Sequence, residues 1–286
     1  MKDILEETKF LMKKYHLTAN KRLGQNFLID NIAVEKIVEA SNISCEDMII
    51  EIGPGLGTLT SYLLEKAGKV IAIELDDRMI GILKDRFTLY KNFELIQNDV
   101  LKVDLDSIIK ENSNFKTVKI VANLPYYITT PIIMKLLEEN LKIESIVVMV
   151  QKEVAQRLVA IPGSKLSGAI TYSVHFYATP SEVTLVPRTS FIPEPEVDSE
   201  VIKLDIRENV AVLLDNKELF FKIIKASFMQ RRKTLLNGLI NGKILKNKEE
   251  VKEIFKKLNF NDNIRGEELT LEQFAQLSNE VNKLIS

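Results

Sequence analysis

The sequence is poor in the residues on which metal and disulfide sites depend. It contains one cysteine, two histidines and no tryptophan in 286 residues. The single Cys45 excludes an internal disulfide framework and a thiolate zinc cluster, and His16 and His175 alone are poor material for a metal site. We therefore expect no metal, and this cysteine usage favours a reducing, cytoplasmic location.

Long apolar runs are also missing. The run SIVVMV at 145–150 ends at once in QKE, far short of the roughly 18 apolar residues that a membrane span requires. The first fifteen residues carry acids where a signal peptide would have its apolar core. We therefore expect neither a membrane-spanning segment nor an export signal.

The net charge is small, but its distribution is uneven. With 39 Lys and Arg against 40 Asp and Glu, the chain carries a net charge of −1. Residues 8–29 carry +5 and residues 217–257 carry +8, which leaves −14 for the remainder. Because phosphate contacts act locally, two basic segments beside an acidic body indicate a polyanionic partner. A merely solvated Lys-rich helix face is the alternative for residues 243–257.

From residue 48 onward, short apolar runs alternate with amphipathic stretches. Runs rich in Val and Ile that are separated by helices predict a doubly wound, mostly parallel sheet of the α/β class. The predicted strands are 48–52, 69–75, 93–97, 117–123 and 144–150, and the predicted helices between them are 58–67, 76–90 (capped by Asp76) and 130–140. Two further predicted strands, 182–186 and 200–206, have no long helix between them, which indicates an antiparallel edge.

The strand pattern stops near Glu208. Beyond it the sequence predicts only helices, at 216–228, 231–240, 249–257 and 270–285. The length allows roughly two domains. We therefore expect a sheet-containing domain at 1–207 and a small all-helical domain at 208–286.

A glycine-rich loop follows the first predicted strand. In EIGPGLG (51–57), Gly53 and Gly55 can let the backbone approach a cofactor closely, although the GxGxG spacing differs from that of dinucleotide binders. Glu74 ends the second strand, where a carboxylate can accept hydrogen bonds from a ribose diol. Asp99, after the third strand, can reach the exocyclic amine of an adenine.

The charge of this loop region indicates which cofactor it suits. No Lys-Ser or Lys-Thr pair completes a phosphate cradle, and Glu51 would repel a pyrophosphate. S-adenosylmethionine, which carries a sulfonium, an amino group, a ribose and an adenine, suits an acidic pocket better. The alternative interpretation is that these are ordinary turn glycines and helix-capping acids.

The string NLPYY (123–127) follows the fourth predicted strand, at the same edge of the sheet. The Asn123 side-chain oxygen and the Leu124 carbonyl can accept both N–H groups of an adenine amine and make that nitrogen a better nucleophile. Pro125 stiffens the arrangement, and Tyr126 offers a face on which an extruded base can stack. The alternative is a proline turn with two core tyrosines.

Six motifs then resemble, in order and spacing, the bacterial small-subunit rRNA adenine dimethyltransferases. They are GQNFL (24–28), EIGPGLGTLT (51–60), NLPYYITTP (123–131), QKEVAQR (151–157), FIPEPEVDS (191–199) and FMQRRKTLLN (228–237). The resemblance implies a Rossmann-like class I methyltransferase sheet. It also implies transfer of methyl groups from S-adenosylmethionine to two adjacent adenosines near the 3′ end of 16S rRNA, giving N6,N6-dimethyladenosine.

The resemblance also assigns roles to residues. It implies cofactor contacts at Asn26, Leu28, Gly53, Glu74, Asp99 and Asn123, and base contacts at Asn123, Leu124 and Tyr126. Phe191 would form the second aromatic wall of the base pocket. Glu196 departs from many relatives, so no RNA contact is assigned there.

Basic residues near two of these motifs are candidates for RNA contacts. Arg231, Arg232 and Lys233 stand at the start of a predicted helix, where three cations oppose the helix dipole unless an anion is near. Lys21 and Arg22 precede Gln25 and Asn26, which we expect to cover the cofactor. The expected partner is small-subunit rRNA within a 30S assembly intermediate, bound by a monomer.

Three alternatives remain at this point. The first is the antibiotic-resistance type of enzyme, which methylates a large-subunit rRNA adenosine. The second is a ribosome-assembly factor that keeps the fold without turnover. A Rossmann dehydrogenase is third, disfavoured by GxGxG and by the lack of a candidate acid for hydride transfer.

Overall fold

The computed structural model describes residues 3–20, 23–230 and 232–285. The chain divides into two compact units, one formed by Met1–Ala155 with Pro180–Ile206 and the other by Gln156–Thr179 with Arg207–Ser286. The expected boundary near Glu208 coincides with one of the points where the chain passes between units, and the segment 156–179 groups with the second unit. The division into functional domains at 207 stays a prediction.

The strands are β1 (Phe27–Leu28), β2 (Asp47–Ile52), β3 (Lys69–Glu74), β4 (Phe93–Gln97), β5 (Thr117–Asn123), β6 (Ser145–Gln151), β7 (Ala178–Val186), β8 (Phe191–Ile192) and β9 (Ser199–Ile206). Seven of them form one sheet in the order β4-β3-β2-β5-β6-β9-β7. The neighbours from β4 to β6 pair in parallel, and β9 is antiparallel to β6. The predicted mostly parallel sheet with an antiparallel edge is confirmed. Strand β9 is the antiparallel neighbour of β6, and β7 is the edge strand beyond β9.

The helices are α1 (Ile4–Lys14), α2 (Asn31–Ala40), α3 (Thr58–Leu64), α4 (Asp77–Phe87), α5 (Leu105–Glu111), α6 (Thr129–Glu138), α7 (Lys152–Val159), α8 (Ala169–Tyr177), α9 (Lys217–Phe228), α10 (Leu235–Asn241), α11 (Lys248–Leu258) and α12 (Leu271–Ile285). Among the helices that follow β2, sequence analysis missed α5, α7 and α8. Six of the nine residues of α8 are buried. Because a helix buried on most sides has no polar face, its sequence lacks the amphipathic period by which helices are recognised.

The sheet is the core of the first unit. All six residues of β2 are buried, and so are five of the six in β3. Strands covered on both faces read as continuous apolar runs, which is why the sequence located them well. Strands β1 and β8, with two residues each, pair in a separate small sheet that places Leu28 opposite Phe191.

A buried ion pair joins β2 to β5 at their amino-terminal ends. Lys119 Nζ lies 2.9 Å from Asp47 Oδ2 and donates to the Asn42 carbonyl at 2.6 Å. Burial disfavours the Asp47 carboxylate, but hydrogen bonds from Thr117, Lys119 and Ser44 outweigh it and lower the pKa of Asp47 to about 2. This pair fixes the alignment of the two central strands far from their carboxyl ends.

The second unit is built around aromatic side chains. Tyr172, Phe220, Phe255 and Phe274 are fully buried. The Tyr172 hydroxyl donates to the Leu269 carbonyl at 2.7 Å, and its ring meets that of Phe274 edge to face with centroids 4.8 Å apart. The position of Tyr172 in this core explains why segment 156–179 belongs to the helical unit. Among the described residues, no helix has the length and apolar character needed to cross a membrane.

Candidate active site

The register of three parallel strands brings distant residues to one level. Ile52 of β2 lies opposite Ile73 of β3 and opposite Ala122 of β5. The residue that follows each of these is Gly53 after Ile52, Glu74 after Ile73 and Asn123 after Ala122. Since parallel strands run the same way, these residues meet at the carboxyl edge of the sheet. Predicted cofactor residues that follow or end three separate strands are therefore neighbours in space.

The glycine loop turns sharply between β2 and α3. Gly53, Gly55 and Gly57 have φ angles of +67°, +56° and +81°, a region that side chains disfavour. A Cβ on Gly57, the N-cap of α3, would lie 2.5 Å from a ring carbon of Phe87. The turn therefore requires glycine for its conformation and, at Gly57, for space as well.

The Glu74 carboxylate is held by backbone N–H groups. Its Oε2 accepts from Gly55 at 3.1 Å, and its Oε1 accepts from Leu75 and Asp76, each at 2.8 Å. Burial raises the pKa of Glu74 despite these hydrogen bonds. A carboxylate offers about four lone-pair sites, so it can still accept from a ligand hydroxyl. The β3 carboxylate is thus rigidly placed beside the glycine loop.

Glu51 is a second buried acid in the same wall. Its side chain is 1% exposed, and its Oε2 accepts no hydrogen bond from the described residues. Burial raises the pKa of Glu51 to about 8, and the nearby Glu74 carboxylate adds to the shift. A buried carboxyl oxygen without a partner is costly, and a cationic ligand group would compensate for it.

These residues line one cavity in the first unit. It is lined by all eleven residues predicted for cofactor binding and catalysis: Asn26, Leu28, Gly53, Gly55, Glu74, Asp99, Asn123, Leu124, Pro125, Tyr126 and Phe191. The fold therefore brings all of these residues to one cavity, and their individual roles stay predictions. The described lining includes Glu51, Glu74 and Asp99 as its charged residues, so the cavity is acidic and suits a cationic, non-phosphorylated cofactor.

The NLPYY segment lies at the edge of this cavity. The Leu124 N–H donates to the Met149 carbonyl at 3.1 Å, which ties the segment to β6. Asn123 Nδ2 donates to the Asn26 carbonyl at a long 3.5 Å. Among the described residues, none donates to Asn123 Oδ1 or to the Leu124 carbonyl. Two acceptors are therefore available side by side for the N–H groups of a ligand amine.

Two aromatic residues flank these acceptors. The Tyr126 hydroxyl shares a 2.7 Å hydrogen bond with Ser199 Oγ, and Ser199 is buried at the start of β9. Burial raises the pKa of Tyr126, so its hydroxyl stays protonated near neutral pH. Phe191 is 3% exposed in β8. Sequence analysis did not identify Ser199 as a site residue, although it ends the FIPEPEVDS motif.

Leu75 was also missed. It follows Glu74 directly, lines the cavity and is 49% exposed. An exposed leucine beside a ligand-sized cavity is an apolar surface that a bound ring can cover. The signal in the sequence was its position, immediately after the acid that ends β3.

Of the five residues predicted to contact RNA, the structure describes Arg232 and Lys233. Lys21, Arg22 and Arg231 lie outside the described residues. Arg232 and Lys233 are exposed, but α10 begins at Leu235 with Thr234 as its N-cap, later than the predicted helix 231–240. The expectation that these cations occupy the first helical turn is therefore wrong, because the threonine side chain caps the helix instead. Their contact with RNA stays a prediction.

Within the described part of the chain, no three His, Cys, Asp or Glu side chains are grouped so as to hold a metal ion. The site is instead a cavity of backbone turns, three acids and aromatic walls. Such a site can bind and orient ligands and polarise an amine.

The chain is similar to known proteins over almost its whole length. Residues 16–283 match the family model described as ribosomal RNA adenine dimethylase. A relative from Clostridioides difficile, named ribosomal RNA small subunit methyltransferase A, is 49% identical over 279 residues, covering 98% of this chain and 96% of the relative. A protein of the same name from Bacillus pumilus is 48% identical, with 97% and 96% covered.

Solved structures agree with this similarity. A dimethyladenosine transferase from Plasmodium falciparum is 29% identical and aligns with a TM-score of 0.75, over 90% of this chain and 98% of that one. The 23S rRNA methyltransferase ErmE aligns with a TM-score of 0.69 at 22% identity, over 90% and 100%. At that identity the second likeness concerns the fold alone.

The raised pKa of Glu51 predicts a pH-dependent stability. Because the folded chain retains this proton up to about pH 8 and the unfolded chain loses it near 4.5, Glu51 lowers stability as pH rises between these values. We expect Glu51→Gln to stabilise the cofactor-free protein at pH 8, by on the order of 4 kcal/mol, and to have little effect at pH 4.5. Urea unfolding across this range measures the difference, and exposed Glu138→Gln is the control. A gain for Glu51→Gln that does not depend on pH would contradict this interpretation.

The contact between Tyr126 and Ser199 predicts coupled effects on stability. Ser199→Ala leaves the Tyr126 hydroxyl without its partner, and we expect a loss of about 1–3 kcal/mol in the free energy of unfolding. Tyr126→Phe combined with Ser199→Ala should lose less than the two single variants together. Tyr127→Phe, at a half-exposed ring, is the matched control. Additive single effects would show that the hydrogen bond contributes nothing.

Proposed function

Since the chain belongs to the ribosomal RNA adenine dimethylase family, we propose that it transfers methyl groups from S-adenosylmethionine to the N6 nitrogen of adenosines in small-subunit rRNA. Two near-full-length relatives carry the name of a small-subunit methyltransferase. The observation that carries the proposal is the cavity itself. It combines an acidic wall, suited to a cationic cofactor, with two available amine acceptors and two aromatic side chains at its edge.

The acidic wall supports specific contacts with the cofactor. We propose that Glu74 accepts from the ribose hydroxyls, that Asp99 accepts from the adenine amine, and that Gly53 and Gly55 let the backbone come close. Asn26, Leu28 and Asn123 complete this set of cofactor contacts. Glu51 offers the cationic groups of the cofactor a buried carboxyl oxygen that accepts no hydrogen bond within the described part of the chain. When bound, the cofactor supplies a methyl group on a sulfonium, which is an electrophile that needs no metal activation.

The acceptors at Asn123 and Leu124 support a mechanism for the amine. The lone pair of an adenine N6 is delocalised into the ring, so the amine is a poor nucleophile. Two acceptors on its N–H groups draw the nitrogen toward tetrahedral geometry and stabilise the charge that develops during attack. Pro125 restricts the backbone between the acceptors and Tyr126. Once N6 has gained the methyl group and a positive charge, it loses a proton to solvent, so positioning for in-line attack supplies the remaining catalysis without a general base.

The aromatic residues support recognition of an extruded base. We propose that the target adenine stacks on Tyr126 with Phe191 as the second wall, a contact worth about 1–3 kcal/mol per base. Ser199 restricts the side-chain rotamer of Tyr126, because Ser199 Oγ and the Tyr126 hydroxyl share a hydrogen bond of 2.7 Å. A stacked and doubly hydrogen-bonded adenine is held more rigidly than stacking alone would allow.

The finer expectations belong to the same proposal. We propose that two adjacent adenosines near the 3′ end of 16S rRNA are dimethylated within a 30S assembly intermediate, by a cytoplasmic monomer. The exposed Arg232 and Lys233 are candidates for phosphate contacts, together with Lys21, Arg22 and Arg231. The net charge of +8 on residues 217–257 supports a helical domain that binds RNA.

Methyl transfer is tested directly with labelled S-adenosylmethionine and small ribosomal subunits that lack the modification. We expect label in small-subunit RNA, with dimethyladenosine as the end product. Subunits isolated at successive assembly stages distinguish a mature substrate from an intermediate. Label in large-subunit RNA would favour the antibiotic-resistance type, and no label with folded, cofactor-binding protein would favour a non-catalytic assembly factor.

Asn123→Ala separates polarisation of the amine from cofactor binding. We expect the rate of transfer to fall about 100- to 1,000-fold, because one acceptor of the developing charge is lost. Affinity for S-adenosylhomocysteine, measured by calorimetry, should fall less than tenfold. Exposed Asn114→Ala is the control. If the loss of affinity accounted for the whole loss of activity, Asn123 would be a binding residue only.

A further inference from the structure

Residues 23–28 form a strap along one wall of the cavity. All six line it, from Leu23 to Leu28. Gly24, at a φ angle of +60°, lies so close to the NLPYY segment that a Cβ there would be 3.3 Å from Tyr127 Cδ1. The Asn26 carbonyl accepts from Asn123 Nδ2. On this side the strap therefore contacts the residues proposed to hold the amine.

A set of polar side chains holds the strap on its other side. Gln25 Nε2 donates to Asp76 Oδ2 at 2.8 Å, and its Oε1 accepts from Arg78 Nη2 at 3.2 Å. Arg78 in turn donates to Asp76 Oδ1 through Nε at 3.0 Å and to Asp76 Oδ2 through Nη2 at 2.5 Å. We call Gln25, Asp76 and Arg78 the latch. Each of its members contacts the other two.

The latch is joined to the chain before the strap as well. Arg78 Nη1 donates to the Thr18 carbonyl at 3.1 Å. The Asn20 N–H donates to Gln25 Oε1 at 2.9 Å. Arg78 therefore donates both to the backbone at Thr18, before the strap, and to the side chain of Gln25, within the strap. An ion pair that only stabilised the start of α4 would need neither contact.

The latch also adjoins the proposed ribose site. The Asp76 N–H donates to Glu74 Oε1, and Asp76 caps α4 through its side chain. Asp76 is 7% exposed, and the hydrogen bond from Arg78 lowers the pKa of its carboxyl group, so the contact is charge-assisted. Among the residues described as lining the cavity are Glu74 and Gln25, but neither Asp76 nor Arg78.

The far end of the strap sets the position of an aromatic wall. Strand β1 is the end of the strap, and it pairs Leu28 with Phe191. The Ile29 N–H donates to the Ser190 carbonyl at 2.9 Å, and Ser190 Oγ donates to Asp30 Oδ2 at 2.7 Å. A shift of the strap would therefore move Phe191 as well as the residues beside the cofactor.

We propose that Gln25, Asp76 and Arg78 are positioning residues that hold the strap in the one place where the cofactor site and the base site are both complete. This rests on the proposed function, because it assigns the two halves of the cavity to a cofactor and a base. Asp76 and Arg78 act through Gln25. The consequence is coupling: loosening the latch weakens both halves, although neither Asp76 nor Arg78 lines either of them.

The test compares Arg78→Gln with Lys84→Gln, which removes the same charge from an exposed position on the same helix. Among the described residues, Lys84 makes no hydrogen bond or ion pair with the strap. We expect Arg78→Gln to weaken S-adenosylhomocysteine binding about tenfold, as expected for the loss of one or two hydrogen bonds, and to raise the KM for RNA. Lys84→Gln should change neither value by more than about twofold.

Hydrogen–deuterium exchange of the free protein gives a measurement that needs no substrate. We expect the peptide that covers residues 23–30 to exchange faster in Arg78→Gln than in wild type or Lys84→Gln, with exchange in the β2 and β5 peptides unchanged. Gln25→Ala should speed exchange of the same peptide. The double variant Gln25→Ala with Arg78→Gln should exchange little faster than either single variant, since both changes disrupt the same latch.

The outcomes distinguish the two proposals. Wild-type protein that binds no S-adenosylhomocysteine would overturn the proposed function and the latch together. Wild-type binding with an Arg78→Gln variant of unchanged affinity and unchanged exchange would overturn the latch alone. Weaker cofactor binding with an unchanged KM for RNA would also overturn it, because the coupling to Phe191 would be missing.

Discussion

Register between parallel strands is the constraint on which the site depends. The pairing of β2 with β3 and β5 puts Gly53, Glu74 and Asn123 at one level. A shift of a single residue would turn every side chain of a strand to the opposite face. The buried ion pair of Lys119 and Asp47 joins β5 to β2 at the amino-terminal ends of these two strands. The positions of these three proposed cofactor residues are thus set by the pairing of buried strands.

The second organising feature is a pair of buried carboxyl groups, Glu51 and Glu74, beside the glycine loop. Glu51 and Glu74 both have raised pKa values because the cavity wall desolvates them. Backbone N–H groups offset part of this cost at Glu74, and a cationic ligand group would offset it at Glu51. The near-zero net charge of the chain likewise hides a local imbalance, since +5 on residues 8–29 and +8 on residues 217–257 offset −14 on the remainder.

Helix α4 connects the amino-terminal segment to this core. Arg86 donates to the Leu56 carbonyl in the glycine loop and pairs with Glu7 of α1 at 2.6 Å. Arg78, near the start of the same helix, holds Gln25. Side chains of α4, the helix that follows Glu74, therefore contact both the strap at residues 23–28 and helix α1.

The sequence by itself determined the parallel sheet, the glycine loop, the NLPYY segment and the family. Each rests on a local pattern: buried strands are continuous apolar runs, and the motifs are short strings with distinctive spacing. Only the tertiary structure decided the pairing of β1 with β8, the contact between Tyr126 and Ser199, and the latch of Gln25, Asp76 and Arg78. These depend on single side chains or two-residue strands from distant parts of the chain. Such contacts leave no periodicity in the sequence, because their partners meet only after the sheet has formed.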